Sequence, residues 1–258
     1  MKKVLITGVA GEVGYALCNE LLELGIDVYG IDTPKDKHNE RIDWIGRNAL
    51  FHFIPKPIEK VNWSTMEPVD VVYHFAQTYP SSNRLSDLKM VIAKHRKNSE
   101  KIASYAVHHN ARVILLSTIE VYGMSHKRIT DTTKANPASL FGEVLMTEEN
   151  LLTEHMNANG SNYLIVRVPS IEGLEHPLEI NYGKIDQSEQ AGVYKRNREF
   201  NQNSSLNVKD LLKLLITAGN ASDVTGVVPV PGKEAVTATY IVDSDKYKEL
   251  LNHSKRQK

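Results

Sequence analysis

Gly8, Gly11 and Gly14 stand three residues apart, directly after the apolar run Val4-Leu5-Ile6 and directly before a stretch of helical periodicity. A backbone that must approach a diphosphate closely cannot carry Cβ atoms at the turn. Free N–H groups at a helix start then supply donors and partial positive charge. The spacing is Gly-x-x-Gly-x-x-Gly, and it makes Gly8, Gly11, Glu12, Val13 and Gly14 the candidate phosphate contacts. The next apolar run ends at Asp32, a carboxylate placed to accept from the 2′- and 3′-hydroxyls of an adenosine ribose and to repel a 2′-phosphate. NAD is therefore the expected cofactor over NADP, although Lys35 and Lys37 lie close enough to weaken that preference. The plainer alternative is a tight turn with a loop-capping Asp; the order strand, turn, helix, strand, Asp is what favours a dinucleotide.

The elements that must hold these residues read as βαβ units. Strands are expected over 4–7, 28–31, 50–54, 69–75, 112–116 and 163–168, and helices over 13–24, 88–108 and 137–156. Gly25 stops the first helix, and Asn159-Gly160 the third. This alternation predicts an α/β fold, a Rossmann-type doubly wound parallel sheet over 1–168. Residues 169–258 are expected to form a small C-terminal substrate lobe, with its elements interleaved with those of the first domain. Residues 172–207, rich in Asn, Gln, Gly, Lys and Ser, read as its long covering loops. A helix over 208–218, a strand over 227–230 and a helix over 245–251 follow, and the tail from His253 reads as a frayed, solvated end.

The composition narrows the partners. Lys+Arg and Asp+Glu both total 31 in 258 residues, a balance that gives no support to nucleic acid or an anionic membrane as partner. No apolar stretch approaches the ~20 residues of a membrane span. The N-terminus does not read as a signal peptide, so a cytoplasmic location is expected. Cys18, the single cysteine, sits in a helical Leu pattern and is expected to be buried. Ten histidines show no metal-ligand spacing; His108 and His109 read as helix-end residues.

Several further segments fall in one order. Val72-Tyr73-His74-Phe75-Ala76 resembles a fourth strand with a His-x-Ala signature beside the cofactor, which would place Ala76 there. Leu116-Ser117-Thr118-Ile119-Glu120-Val121-Tyr122-Gly123 is similar to a Ser-Ser/Thr-x-x-Val-Tyr-Gly motif after a fifth strand. Arg167 to Gly173, Asn207 to Asp210 and Asp243 to Leu250 match more weakly. Together they resemble the extended short-chain dehydrogenase/reductase family, the nucleotide-sugar epimerases and dehydratases. That resemblance implies NAD, a nucleotide-sugar or similar small-molecule ligand, and a homodimer. The helix around 88–108 carries Lys89, Lys94, Arg96, Lys97 and Lys101, which makes it strongly polar for a dimer face. The 4,6-dehydratase branch reads Thr-Asp-Glu at 118–120, so the resemblance implies catalytic roles for Thr118 and Glu120, with Ile119 replacing the branch's Asp. The alternative for Glu120 is a polar residue at a strand end.

The family's Tyr-x-x-x-Lys pair is missing. After Pro137-Ala138-Ser139, Phe141 stands at the Tyr position and Leu145 at the Lys position. Phe has no ionisable group and Leu no charge, so the base that takes a sugar hydroxyl's proton is absent; general acid–base catalysis typically contributes ~10²–10⁴-fold. Tyr79 and Tyr122 could substitute only in principle, Tyr122 being a motif residue with a structural reading. Pro55-Lys56-Pro57-Ile58 also departs from the family's adenine-binding Asp-Ile/Val, and Lys195, Arg196 and Arg198 read as a solvated basic loop. Two functions follow: an NAD-binding epimerase/dehydratase-like protein with a degenerate active site, or a non-catalytic dinucleotide-binding sensor or partner subunit.

Overall fold

The computed structural model describes residues 1–33, 36–77, 85–123, 127–174, 204–234 and 240–256. The chain runs β1 (Lys3–Thr7), α1 (Glu12–Glu23), β2 (Asp27–Ile31), α2 (Asp36–Ile45), β3 (Phe51–Ile54), β4 (Val71–His74), α3 (Leu85–His109) and β5 (Arg112–Thr118). It continues through β6 (Arg128–Ile129), α4 (Leu140–Ala158), β7 (Tyr163–Val168), β8 (Ser170–Glu172), β9 (Ser204–Asn207) and α5 (Val208–Asn220). It ends with β10 (Gly226–Pro229), β11 (Lys233–Glu234), β12 (Ile241–Val242) and α6 (Asp245–Arg256).

Seven strands form one parallel sheet in the order β10-β7-β5-β4-β1-β2-β3. Its central strands are buried along their length, as crossover helices on both faces require. Successive side chains serve opposite layers. Val4, Ile6, Val71, Tyr73, Leu164 and Val166 pack with Leu17 and Leu21 of α1 and Leu211 and Leu215 of α5. Leu5, Val72, Val113 and Ile165 pack with Ile102 and Ala106 of α3 and Leu152 and Met156 of α4. In α1 the buried positions 13, 17, 18 and 21 form one helical stripe. Cys18 lies inside it, and burial pushes its thiol up to about 12, as packing rather than reactivity demands.

The doubly wound sheet stands as expected, with helix α2 and the short strands β6, β8, β9, β11 and β12 as additions and two differences of extent. Helix α2 was not anticipated: its sequence is polar, and among its described side chains Arg41, Ile42 and Ile45 reach the interior. Helix α4 starts at Leu140 rather than Pro137, because Ser139 caps it by accepting from Gly142 N at 3.0 Å. The tail is not frayed through its first residues. Helix α6 continues to Arg256, and His253 Nε2 sits 2.9 Å from Asp223. After residue 168, β10 pairs with β7 and α5 packs against α1, while β8, β9 and β11 form a separate small sheet. Lys35, the side chain of Lys37, Tyr79, Lys195, Arg196 and Arg198 lie outside the described residues, as does most of 172–207. Among the described residues no helix is long and apolar enough to cross a membrane.

Candidate functional site

The strand order reverses between β1 and β4, and an open sheet of this kind forms a crevice beyond the carboxyl ends of its strands at that point. A cleft of about 320 Å³ lies there, lined by Gly8, Ala10, Gly11, Asp32, Thr33, Phe75, Ala76 and Gln77, with Lys56–Glu59 on one side and Lys94 and Asn98 on the other. Of the residues expected from the sequence to hold a cofactor, Gly8, Gly11, Asp32 and Ala76 come together on its wall.

Glycine is obligatory twice in the turn. Gly8 has φ +74°, and a Cβ there would sit 2.9 Å from the backbone of Phe75 and Ala76. A Cβ on Gly14 would lie 2.2 Å from the Gly8 carbonyl oxygen. Gly14 is thus a packing glycine that lets α1 close on the turn, and Val13 is buried beside it. Gly11 is the N-cap of α1, and no side chain caps the first-turn amides, which leaves donors of the kind that bind phosphate oxygens. Glu12 would place a negative charge at the same helix end. Arg41 offsets it, pairing with Glu12 and donating from Nη1 to the Ala10 carbonyl at 3.1 Å. Asp32 accepts from Ala10 N through Oδ2 at 2.9 Å and from Thr33 N through Oδ1 at 2.7 Å. Each oxygen has further acceptor capacity, and Asp32 lines the cleft, so a ribose hydroxyl there could be bound. The residues present fit a dinucleotide.

The β4 side of the cleft is held from below. Thr7 Oγ1 accepts from Phe75 N and Ala76 N, both at 3.3 Å, and lies 2.6 Å from His74 Nδ1. His74 Nε2 faces Glu148 Oε1 at 3.1 Å, and His95 Nδ1 faces Glu148 Oε2 at 3.0 Å; all three side chains are at least 98% buried. Burial alone would raise the Glu148 carboxyl, but His95 and His74 outweigh it and hold it at about 2. Gln77 Nε2 donates to the Leu116 carbonyl at 2.7 Å, tying the end of β4 to β5.

Thr118 and Glu120 stand apart from that cleft's lining. Thr118 caps the 3-10 turn Ile119–Tyr122, its Oγ1 accepting from Glu120 N at 3.2 Å. Glu120 is 7% exposed and accepts from Ser139 Oγ at 3.1 Å; burial raises its carboxyl, and the Ser139 bond only partly counters this. Phe141 and Leu145 pack into a closed apolar cluster with Ile119, Val121, Tyr122, Ile129 and Tyr240. Tyr122 also lies under the Arg167 guanidinium, 4.6 Å from ring centroid to Cζ, consistent with its structural reading. Arg167 is in turn paired with Glu149, which accepts from Ser117 Oγ.

Sequence reasoning missed Arg41, Gln77, Lys94, Asn98 and the His74–Glu148–His95 group. Arg41 lies in the helix that was not anticipated, and the α3 residues carry no motif. A signal existed for one of them: His74 belongs to the His-x-Ala segment, and a buried strand-end histidine needs partners.

The sequence also bears comparison with known proteins. Residues 4–190 match the family model "NAD dependent epimerase/dehydratase family". An uncharacterised UDP-glucose epimerase, YtcB of Bacillus subtilis (strain 168), is 26% identical over 180 residues, 66% of this chain and 57% of that protein. The bifunctional polymyxin resistance protein ArnA of Wigglesworthia glossinidia brevipalpis is 34% identical over 141 residues, 53% of this chain and 21% of its own length. The matches thus span about half or less of these relatives. In three dimensions the chain is similar to the UDP-glucuronic acid 4-epimerase of Bacillus cereus solved with NAD, with a TM-score of 0.76, 20% identity and coverage of 97% and 90% of the two chains. A Tyr-to-Phe mutant of that enzyme, solved with UDP-4-deoxy-4-fluoro-glucuronic acid and NAD, superposes with a TM-score of 0.77, 20% identity and coverage of 97% and 93%. The phosphate turn, the cleft where the sheet's winding reverses and the match over most of the sequence agree: this chain belongs to the NAD-dependent epimerase/dehydratase family.

Proposed function

We propose that the protein binds NAD in the cleft between β1 and β4, that a nucleotide sugar is its second ligand, and that ordinary hydride transfer is weak or lost. NAD bound there would supply a hydride acceptor. The chain's own part is to grip the diphosphate with the uncapped first-turn amides of α1 and the ribose with Asp32. The observation that carries the reading is the contrast between two regions. The cleft is open and its glycines and Asp32 are in place, whereas Phe141 and Leu145, 6% and 2% exposed, are packed among apolar side chains where the family's acid–base pair would stand. The Bacillus cereus mutant shows that a protein of this fold holds both ligands with a tyrosine exchanged for phenylalanine. Retained binding with lapsed turnover suits a sensor or a partner subunit.

Fluorescence titration with NADH tests the first half. Binding is expected for the wild type and is expected to vanish in Gly11→Asp, which sets a carboxylate against the diphosphate; equal binding by the two would remove the cleft assignment. Incubation with NAD and UDP-glucose or UDP-glucuronic acid tests the second half. No epimer is expected, and turnover at ordinary enzymatic rates, typically ~1–10³ per second, would overturn it.

A further inference from the structure

Glu148 is not among the residues that line the cleft, yet both walls of the cleft lead back to it. One route runs through β4. The Glu148 carboxylate lies 3.1 Å from His74 Nε2, out of line for a hydrogen bond, but its charge at that distance favours the proton on Nε2 and leaves Nδ1 to accept from the Thr7 hydroxyl. A hydroxyl that donates its one proton to His74 has its lone pairs free for the Phe75 and Ala76 amides, and both are taken. The chain Glu148–His74–Thr7 therefore fixes the backbone at the end of β4, against which Gly8 closes with no room for a Cβ. The second route runs through α3. His95 and Ser99 face Glu148, Ser99 Oγ at 3.5 Å, while Lys94 and Asn98, one residue before each, line the cleft. On a helix, positions 94 and 98 form one stripe and 95 and 99 the next, so anchoring the second stripe sets the depth and rotation of the first.

We propose that Glu148 is the positioning residue of the cofactor cleft, one buried carboxylate on α4 that registers the β4 wall and the α3 wall against each other. This inference rests on the reading that the cleft takes NAD. It adds that affinity is governed from a side chain that never touches the ligand. A carboxylate suits the task because its two oxygens diverge: one serves a strand histidine and the other a helix histidine. Gln retains an acceptor for His74 and presents an amide N–H to His95, which can accept in its other neutral tautomer. Leu, similar in size, satisfies neither histidine.

The test compares wild type, Glu148→Gln and Glu148→Leu, each well below its own unfolding temperature. In the ligand-free proteins, hydrogen exchange is read at the 75–77 amides and along 90–98, with 28–31 of β2 as internal reference. Glu148→Leu is expected to speed exchange at least tenfold in the first two segments and leave β2 unchanged, and Glu148→Gln to stay within about threefold of wild type. NADH titration should follow, with at least a tenfold loss of affinity in Glu148→Leu and near-recovery in Glu148→Gln. Uniform exchange across all three segments, or wild-type NADH affinity in Glu148→Leu, would reduce Glu148 to a stability residue and overturn the proposal. Failure of wild type itself to bind NADH would overturn the cofactor reading instead, and the ligand-free exchange would still decide whether Glu148 registers the two walls.

Discussion

The Asp32 carboxylate and the Ala10 amide are joined by a 2.9 Å hydrogen bond, so the residue proposed to select the ribose also braces the turn proposed to take the diphosphate. The bond couples these two proposed roles. Asp32→Ala should lose the ribose acceptor and loosen the turn together. Hydrogen bonds to charged groups contribute about 1.5–3 kcal/mol, which corresponds to roughly a 10–100-fold loss of NADH affinity. Fluorescence titration measures the affinity, and a thermal melt shows how much of the loss belongs to the fold.

Gly14 gives a sharper steric case. The Cβ of Gly14→Ala would fall 2.2 Å from the Gly8 oxygen, a backbone atom with nowhere to go. Overpacking of this kind costs about 1–3 kcal/mol. Urea unfolding should show that loss, and NADH binding should weaken because α1 must back away from the turn.

Restoring the family pair at Phe141 and Leu145 is not expected to restore turnover. Leu145 is 2% exposed within the apolar cluster, and an ammonium group there would be desolvated among apolar side chains. Leu145→Lys should lower stability by several kcal/mol, whereas Leu145→Met, a volume-conserving change, should cost less than about 1.5 kcal/mol. Unfolding curves of the two variants, with sugar-nucleotide assays of Phe141→Tyr/Leu145→Lys, check this. A stable double variant with turnover would mean the cluster opens.

The buried carboxylates predict opposite pH dependences. Glu148 is held at about 2, below its ordinary 4.5, so its contribution is complete above pH 4.5 and is lost as pH falls toward 2. The contribution is on the order of a few kcal/mol. Denaturant unfolding at a series of acid pH values should show this slope, and Glu148→Gln should flatten it.

Glu120 runs the other way. Burial raises its carboxyl, so the folded chain holds that proton more tightly than the unfolded chain, and stability falls as pH climbs from 4.5 through the raised value. Glu120→Gln keeps an acceptor for Ser139 and carries no charge. It should equal or exceed the wild type in stability at pH 7, with a shallower slope, as urea titrations at pH 4 and 7 would show.

What the sequence disclosed follows from how local each signal is. The strands β1, β4, β5 and β7 announce themselves because strands buried on both faces read as near-continuous apolar runs, with polar residues mostly at their ends. The glycine turn is legible because its chemistry lies within seven residues. Helix α2 was illegible because its polar face dominates and, among its described side chains, Ile42 and Ile45 are the apolar ones buried. Beyond His74, the Glu148 group could not be read: Thr7, His74, His95 and Glu148 are gathered from two strands and two helices, and no local pattern encodes a meeting of that kind. The apolar packing around Phe141 and Leu145 belongs to the same class, since Tyr240 enters it from about a hundred residues away.

Strand β10 carries a practical consequence for anyone dissecting the chain. It reaches the sheet only after the excursion that follows β7, and among the described residues it is the strand that covers β7's outer edge. A fragment stopped at residue 168 would keep the phosphate turn but present β7 as a bare, largely apolar edge with its hydrogen-bonding groups unmet. Such a fragment would recruit neighbours in place of β10 and precipitate, so the nucleotide-binding part cannot be excised by cutting where its sequence motifs end.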